Sequence, residues 1–279
     1  MWYILALCSA GFYGAADFTG GLVTRRAAAI PVVLLSQAAG LVLVVLALPL
    51  LPAATPRPAD LWWGAAAGLA GGVGVALLYR ALAVGTMSVV APTTAVTAVA
   101  LPVLTSIALG ERPGWLPVVG IVLGVVSIVL VSRQPGTSRP GVRTGVDTAL
   151  IAGVGVGLFL LFLAQTRGAA GLWPLLTDRI ASVAFFVIVA AVGPGGRSLR
   201  MPARLALLAM GGGTLDMIAN GLYMVAVQIG PLSPVVTLSS LYPASTVLLA
   251  RGILGERLSV WQVVGVLTAL VAVLVIVGS

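Results

Sequence analysis

The chain has 279 residues, of which 60% are hydrophobic and only 8% are charged, a balance far outside the range of soluble proteins. Its net charge of +8 comes from arginines in short loops. No basic and aromatic cluster accompanies them, so we expect no nucleic-acid partner. Cys8 is the single cysteine and histidine is absent, which excludes disulfides and Cys/His metal sites. We expect neither a metal nor a cofactor.

Ten apolar stretches of membrane-spanning length follow one another along the chain. They predict helices at residues 2–21, 30–51, 61–83, 88–109, 114–132, 146–165, 172–193, 203–228, 234–253 and 258–277. A polar segment rich in proline and glycine follows the fifth stretch, at residues 133–143. We therefore predict an all-α integral membrane protein in the lipid bilayer, with halves at 1–134 and 145–279 and a linker at 135–144.

The two halves repeat each other at a constant offset of 145 residues. The paired positions are Gly85 and Gly230, Ser88 and Ser233, and the Leu-Gly-Glu-Arg runs at 109–112 and 254–257. Each half has five predicted spans, so the second half enters the membrane upside down relative to the first. Inverted repeats are typical of alternating-access transporters, whose substrate site lies between the repeats near the middle of the membrane.

The loop arginines predict the orientation in the membrane. Nine of them fall on one side, called here the Arg-rich face: Arg25, Arg26, Arg133, Arg139, Arg143, Arg197, Arg200, Arg204 and Arg257. Arg57, Arg112 and Arg167 fall on the opposite face. Because basic loops stay in the cytoplasm, we expect a multi-pass protein of the cell (plasma or inner) membrane with both termini outside the cytoplasm.

These features resemble the drug/metabolite transporter superfamily in its ten-helix EamA form. The resemblance is carried by the two five-helix halves, the duplicated Leu-Gly-Glu-Arg turns, and the Gly-x-x-Ser starts at Gly85 and Gly230. It implies a secondary transporter of a small organic metabolite or drug, acting as an exporter or exchanger. It also implies a central cavity lined largely by helices 1, 3, 4, 6, 8 and 9.

Other functional classes make different demands on the sequence. An enzyme is not expected, because the chain has no histidine and no acidic pair that recurs at helical spacing. A passive channel or a non-transporting membrane scaffold subunit is the alternative, since one intramembrane aspartate does not establish coupled transport.

Helix 8 carries the most informative ionisable group. Asp216, Asn220 and Tyr223 share one stripe of an apolar helix. The carboxylate is predicted either to bind a cationic solute or a proton, or to form a polar clamp with Arg179 or a backbone carbonyl. Asp178 and Arg179 are adjacent in helix 7 and are predicted to point apart, one of them pairing with another helix.

Polar residues of helices 1 and 3 complete this candidate site. Asp17 and Tyr13 share a face of helix 1. Asp17 either lines the inner mouth of the cavity or pairs with Arg25 or Arg26. Tyr79 of helix 3 occupies the position that Tyr223 has in the other half.

Helices 4 and 9 each contain two prolines, which free backbone carbonyls inside the membrane. Hydroxyl residues at the same depths are candidates both for satisfying these carbonyls and for contacting solute. The candidates are Thr93, Thr97, Ser239 and Tyr242. Simple kinking and repacking of the two helices is the alternative.

Two short motifs have structural interpretations. In the Leu-Gly-Glu-Arg turns, the glycine is predicted to end a helix in the left-handed conformation and the glutamate to favour the start of the next helix. Small-x-x-x-small spacing at Gly64, Gly68 and Gly72 is typical of close helix packing within one protomer. We accordingly expect a monomer or a weak homodimer.

The arginine asymmetry makes a topological prediction. Tags at Met1 and Ser279 should be accessible from outside intact cells, and a tag at Gly136 in the linker should be accessible only after permeabilisation, as measured by labelling with impermeant reagents. Protection of either terminus in intact cells would overturn the orientation.

Overall fold

The computed structural model of the chain describes residues 1–50, 53–108, 115–132, 145–192, 201–230, 235 and 238–278. Throughout these ranges the chain forms helices and short connections, without a strand. The helices are α1 (Trp2–Thr24), α2 (Ala29–Ala47), α3 (Pro58–Val84), α4 (Met87–Ala108), α5 (Trp115–Ser132), α6 (Val146–Leu163), α7 (Trp173–Val192), α8 (Ala203–Ile229), α9 (Tyr242–Leu254) and α10 (Val260–Val277). Single 3-10 turns occur at Leu48–Leu50 and Gly168–Ala170. The predicted all-α fold of ten helices in two inverted repeats is confirmed.

Several sequence features fall outside the described residues. They are the predicted linker, the first Leu-Gly-Glu-Arg turn, Ser233, Pro234, and the arginines at positions 112, 133, 139, 143, 197 and 200.

The helix surfaces are those of a membrane protein. Five described segments are both long and apolar enough to cross a bilayer: Ala29–Leu50, Pro58–Val84, Val146–Leu163, Trp173–Val192 and Ala203–Ala226. Met87–Pro102, Trp115–Leu130 and Val260–Ile276 are shorter apolar helical stretches. Large apolar side chains such as Val122, Val125 and Val129 of α5 are exposed. Such faces are stable only against lipid or another apolar surface.

The two repeats interlock over their whole length. Helix α3 packs on α6, and its equivalent α8 packs on α1. Helices α2 and α7 meet across the repeat boundary, and so do α5 and α10. Exchanging the two repeats converts the α3–α6 contact into the α8–α1 contact. The α2–α7 and α5–α10 contacts are unchanged by the exchange. Helices of both halves therefore face each other across the repeat boundary.

Glycines allow the closest of these approaches. A Cβ added to Gly64, Gly68 or Gly72 of α3 would collide with atoms of α7, among them Thr177, Asp178 and Ser182. The predicted role of this spacing in packing within one protomer is confirmed. The same approach lets α7 present its polar residues to the interior of the bundle.

The ninth helix differs from its predicted span of 234–253. Val235, Leu238 and Ser239 are helical, the chain turns at Ser240 and Leu241, and α9 then runs from Tyr242. The cause is Pro243, which has no N–H to donate and disfavours a helical residue before it, but fits the first turn of a new helix. The matching helix α4 continues through both of its prolines. A break at this depth requires partners for the freed backbone groups.

The glycine contacts predict opposite effects of one substitution at two helical sites. Gly68→Ala drives a Cβ into the main-chain carbonyl of Asp178, so it should lower stability by about 1–3 kcal/mol. Gly211→Ala has open space around the new Cβ and should raise stability by up to about 1 kcal/mol, because alanine favours the helix. Thermal unfolding in detergent measures both changes. Equal shifts of the two variants would contradict the packing.

Candidate functional site

A buried guanidinium joins three helices in the interior. Arg179 of α7 donates hydrogen bonds to Gln37 of α2 and to the carboxylate of Asp216 of α8. Its Nε atom lies 3.4 Å from a carboxylate oxygen of Asp178. The Arg179 side chain is only 9% exposed. The predicted ion pair of helix 7 with another helix is therefore present, and so is the clamp between Asp216 and Arg179.

The contact between Asp178 and Arg179 corrects one prediction. Neighbours in a helix point about 100° apart at their Cβ atoms, and we expected these two side chains not to meet. The arginine side chain is long enough to fold back, which brings Nε beside the adjacent carboxylate. Gly40 of α2 lies beside this group, and a Cβ added there would be in ordinary van der Waals contact with Nε at 3.5 Å.

The Asp216 carboxylate is held from a second side as well. Asn220, one turn later on α8, donates to the main-chain oxygen of Asp216 at 2.9 Å and approaches its carboxylate at 3.4 Å. The stripe predicted on α8 thus forms a local polar unit. Asp216 nevertheless keeps 27% of its side-chain surface exposed. Asp216 is therefore less enclosed than its partner Arg179.

Asp17 of α1 has a different environment. In the described part of the chain its carboxylate has no hydrogen bond and no ion pair. Arg25, which we considered as a partner, instead lies 3.5 Å from Glu256. Asp17 interacts electrostatically with Asp216 of α8, Tyr79 of α3 and Tyr242 of α9. It is thus surrounded by helices of both repeats, yet it remains partly exposed.

Three tyrosines lie around these carboxylates. The rings of Tyr13 and Tyr242 meet edge to face with centroids 6.2 Å apart. Tyr223 is close enough to Tyr13 to interact electrostatically with it. All three rings are partly exposed. We call the group on α1, α8 and α9 the tyrosine–aspartate cluster; its members are Tyr13, Asp17, Asp216, Tyr223 and Tyr242.

Tyr79 is placed differently from the other candidate tyrosines. It is only 2% exposed, and its ring lies against Gly20 of α1, where any Cβ would overlap it. Its hydroxyl is within hydrogen-bonding range of Ser36. Tyr79 therefore packs between α1 and α3, on the side of the cluster nearer the Arg-rich face.

The predicted hydroxyl residues of helices 4 and 9 contact backbone carbonyls. Thr93 donates to Val89 at 2.8 Å, and Thr97 donates to Thr93 at 2.9 Å. Ser239 lies 3.4 Å from the carbonyl of Ala6 of α1. These contacts show how the hydroxyl groups are satisfied within the membrane. Their part in solute binding stays a prediction.

Gln37 and Ser36 of α2 also belong to this polar interior, although neither was among the predicted site residues. They are the only polar side chains between residues 30 and 51, and both are buried. Their position in the middle of an apolar span could have identified them, because polar groups in hydrocarbon require hydrogen-bonding partners. The partners are Arg179 for Gln37 and Tyr79 for Ser36.

The second Leu-Gly-Glu-Arg turn is partly as predicted. Gly255 ends α9 in the left-handed conformation, with φ of 65°. The prediction for Glu256 is wrong, because the next helix, α10, is capped by its own Ser259 and Gln262. The Glu256 carboxylate instead accepts hydrogen bonds at the start of α4, in the other repeat.

Comparisons with known proteins follow the same two halves. The model of the EamA-like transporter family matches residues 1–133 and 143–278. A solved crystal structure aligns over 96% of this chain and 95% of its own, with a TM-score of 0.63 and 15% sequence identity; at that identity the likeness concerns the fold alone. No curated protein matches the chain significantly. The family match covers nearly all of both halves, and the chain belongs to the EamA-like transporter family.

Proposed function

We propose that this protein is a secondary transporter that moves a small organic solute by alternating access, as an exporter or exchanger. The central site is the tyrosine–aspartate cluster. The observation that carries the proposal is the carboxylate of Asp17, which has no partner in the described residues and lies between helices of both repeats. A site at this boundary changes when the repeats move relative to each other.

The charges of the interior favour a positively charged solute. Arg179 contacts both Asp178 and Asp216, so its one charge is shared between two carboxylates. Asp17 adds a third carboxylate, which interacts unfavourably with Asp216. An unpaired carboxylate in a low-dielectric site is costly unless a cation or a proton joins it. We therefore propose an amine-bearing organic solute as substrate, with protons as the second candidate partner.

The aromatic residues are suited to the same class of solute. Tyr13 and Tyr242 present partly exposed rings near Asp17. A cation over a tyrosine face is attracted by the ring quadrupole, and more strongly where water is excluded. An anionic solute would meet the same rings and a negative carboxylate. The cluster supports a cationic solute better than an anionic one.

The remaining parts of the proposal follow from the sequence. The protein acts as a transporter rather than an enzyme, in the cell membrane, with both termini outside the cytoplasm. The proposed site is built within one chain, so a monomer suffices and a weak homodimer is compatible with it. Saturable, counterflow-stimulated flux of an amine in proteoliposomes distinguishes this carrier from a passive channel or scaffold subunit.

Substitution of Asp17 tests the site directly. The purified protein is heated with matched solutes that differ in charge, for example tetraethylammonium, spermidine, leucine and succinate. A bound ligand raises the unfolding temperature by mass action. Cations are expected to stabilise the parent protein, and Asp17→Asn is expected to abolish that shift while it remains folded.

Two matched variants complete this experiment. Asp147→Asn changes an exposed carboxylate at the start of α6 and should keep the full shift. Asp216→Asn removes the partner of Arg179 and should lower the unfolding temperature even without solute. Stabilisation by succinate alone, or an unchanged cation shift in Asp17→Asn, would contradict the assignment of Asp17.

A further inference from the structure

The start of α4 is capped by a residue from the other repeat. Glu256 accepts hydrogen bonds from the main-chain N–H groups of Met87 and Ser88, both at 3.0 Å, and from the Ser88 hydroxyl at 2.8 Å. The first N–H groups of a helix have no partner within the helix. Such groups are normally capped by a residue next to them in sequence. Here the cap lies 168 residues away from Ser88.

A third helix joins the same contact. Arg25, directly after α1, lies 3.5 Å from the Glu256 carboxylate. The end of α1, the start of α4 and the end of α9 are therefore held together at the Arg-rich face. The Glu256 side chain is only 12% exposed, so water weakens these charge-assisted hydrogen bonds little. We call this set of contacts the Glu256 cap.

Apolar packing closes the space beneath the cap. Met87 and Leu82 are fully buried, and both lie against Gly21 of α1. Tyr79, about one turn before Leu82 on α3, covers the neighbouring Gly20. Along α1 these contacts lie between Asp17 and the Arg-rich face. They separate the tyrosine–aspartate cluster from that face.

At the opposite face, the equivalent helices do not pack together in the same way. Helices α1 and α3 pack together, whereas their equivalents α6 and α8 make at most a marginal contact within the described residues. Inverted repeats exchange their conformations when access alternates, so closure at one face corresponds to opening at the other. The contact of α1 with α3 is what a state closed at the Arg-rich face requires.

We propose that Glu256 is the positioning residue that keeps the Arg-rich face closed, and that release of its contacts with α4 opens the central space to that face. The proposal rests on the proposed alternating-access function. The cap joins the two repeats, seals the side that is closed, and uses backbone groups that water can satisfy once it enters. Its release therefore leaves no unsatisfied donor in hydrocarbon.

The test measures access from the Arg-rich face without any substrate. Cys8 is first replaced by serine, and Leu82→Cys then places one cysteine in the closed region. Membranes of known orientation are treated with a membrane-impermeant maleimide from the Arg-rich side. Labelling of the introduced cysteine is expected to be slow in this parent and several-fold faster after Glu256→Gln, which removes the charge from the cap.

A matched variant separates this effect from a general loosening of the repeats. Arg167 and Asp60 form an ion pair of 2.7 Å that also joins the two halves, but at the opposite face. Arg167→Gln should leave labelling of the introduced cysteine from the Arg-rich side at the parent level. If Glu256→Gln does not fold, Ser88→Ala removes one hydrogen bond of the cap and should speed labelling less, in the same direction.

Two outcomes would overturn the proposal. One is an unchanged labelling rate of the introduced cysteine in folded Glu256→Gln or Ser88→Ala. The other is equal acceleration by Arg167→Gln. Neither depends on transport, so failure of the cap and failure of the proposed function are distinguishable. Accelerated labelling in a chain that shows no counterflow of any amine would support the cap and refute the transporter.

Discussion

The burial of the Arg179 guanidinium is the constraint on which the arrangement of the other charged groups in the interior depends. Bringing Arg179 out of water costs several kcal/mol, and only close carboxylate and amide partners recover that cost. Its partners come from α2, α7 and α8, so a single side chain fixes three helices from both repeats. Removing one partner of such a buried pair typically costs about 3–5 kcal/mol. Asp178 and Asp216 share the single charge of Arg179, and Asp17 adds a carboxylate that no cation of the described residues pairs with.

Helix α1 places the Asp17 carboxylate against the second repeat. It packs on α8 and α9, and its contacts there are hydroxyl groups bonded to main-chain carbonyls. Ser9 donates to Ala219 at 2.8 Å, and Thr246 lies 3.2 Å from the carbonyl of Gly14. Hydroxyl–carbonyl contacts of this kind add little to stability individually, so they can be exchanged when the repeats move. Asp17 thus lies on a helix that packs closely on the second repeat.

The sequence predicted the repeated architecture because period, span length and loop charge are local signals that add up along the chain. It also marked Asp17 and Asp216, since carboxylates within apolar spans are rare and expensive. It could not tell which of them has a cation partner, because the position of Arg179 relative to α8 depends on helix packing. The same limit explains Glu256. A glutamate after a helix end predicts capping of the following helix, but Ser259 and Gln262 already cap α10. Only the fold brings the start of α4 within reach.

The proposed site and the Glu256 cap both involve α1 and α9. Asp17 and Arg25 are eight residues apart on and just beyond α1, about 12 Å along the helix. A solute can shift an equilibrium only by the difference in its affinity for the two states. Asp17 interacts electrostatically with Tyr242, on the helix that ends two residues before Glu256. On the proposed function, a cation bound at Asp17 would change the relation of α1 to α9, and with it the distance of Arg25 and the start of α4 from Glu256. The coupling between the proposed site and the Glu256 cap would then run directly through α1 and α9, because these two helices take part in both.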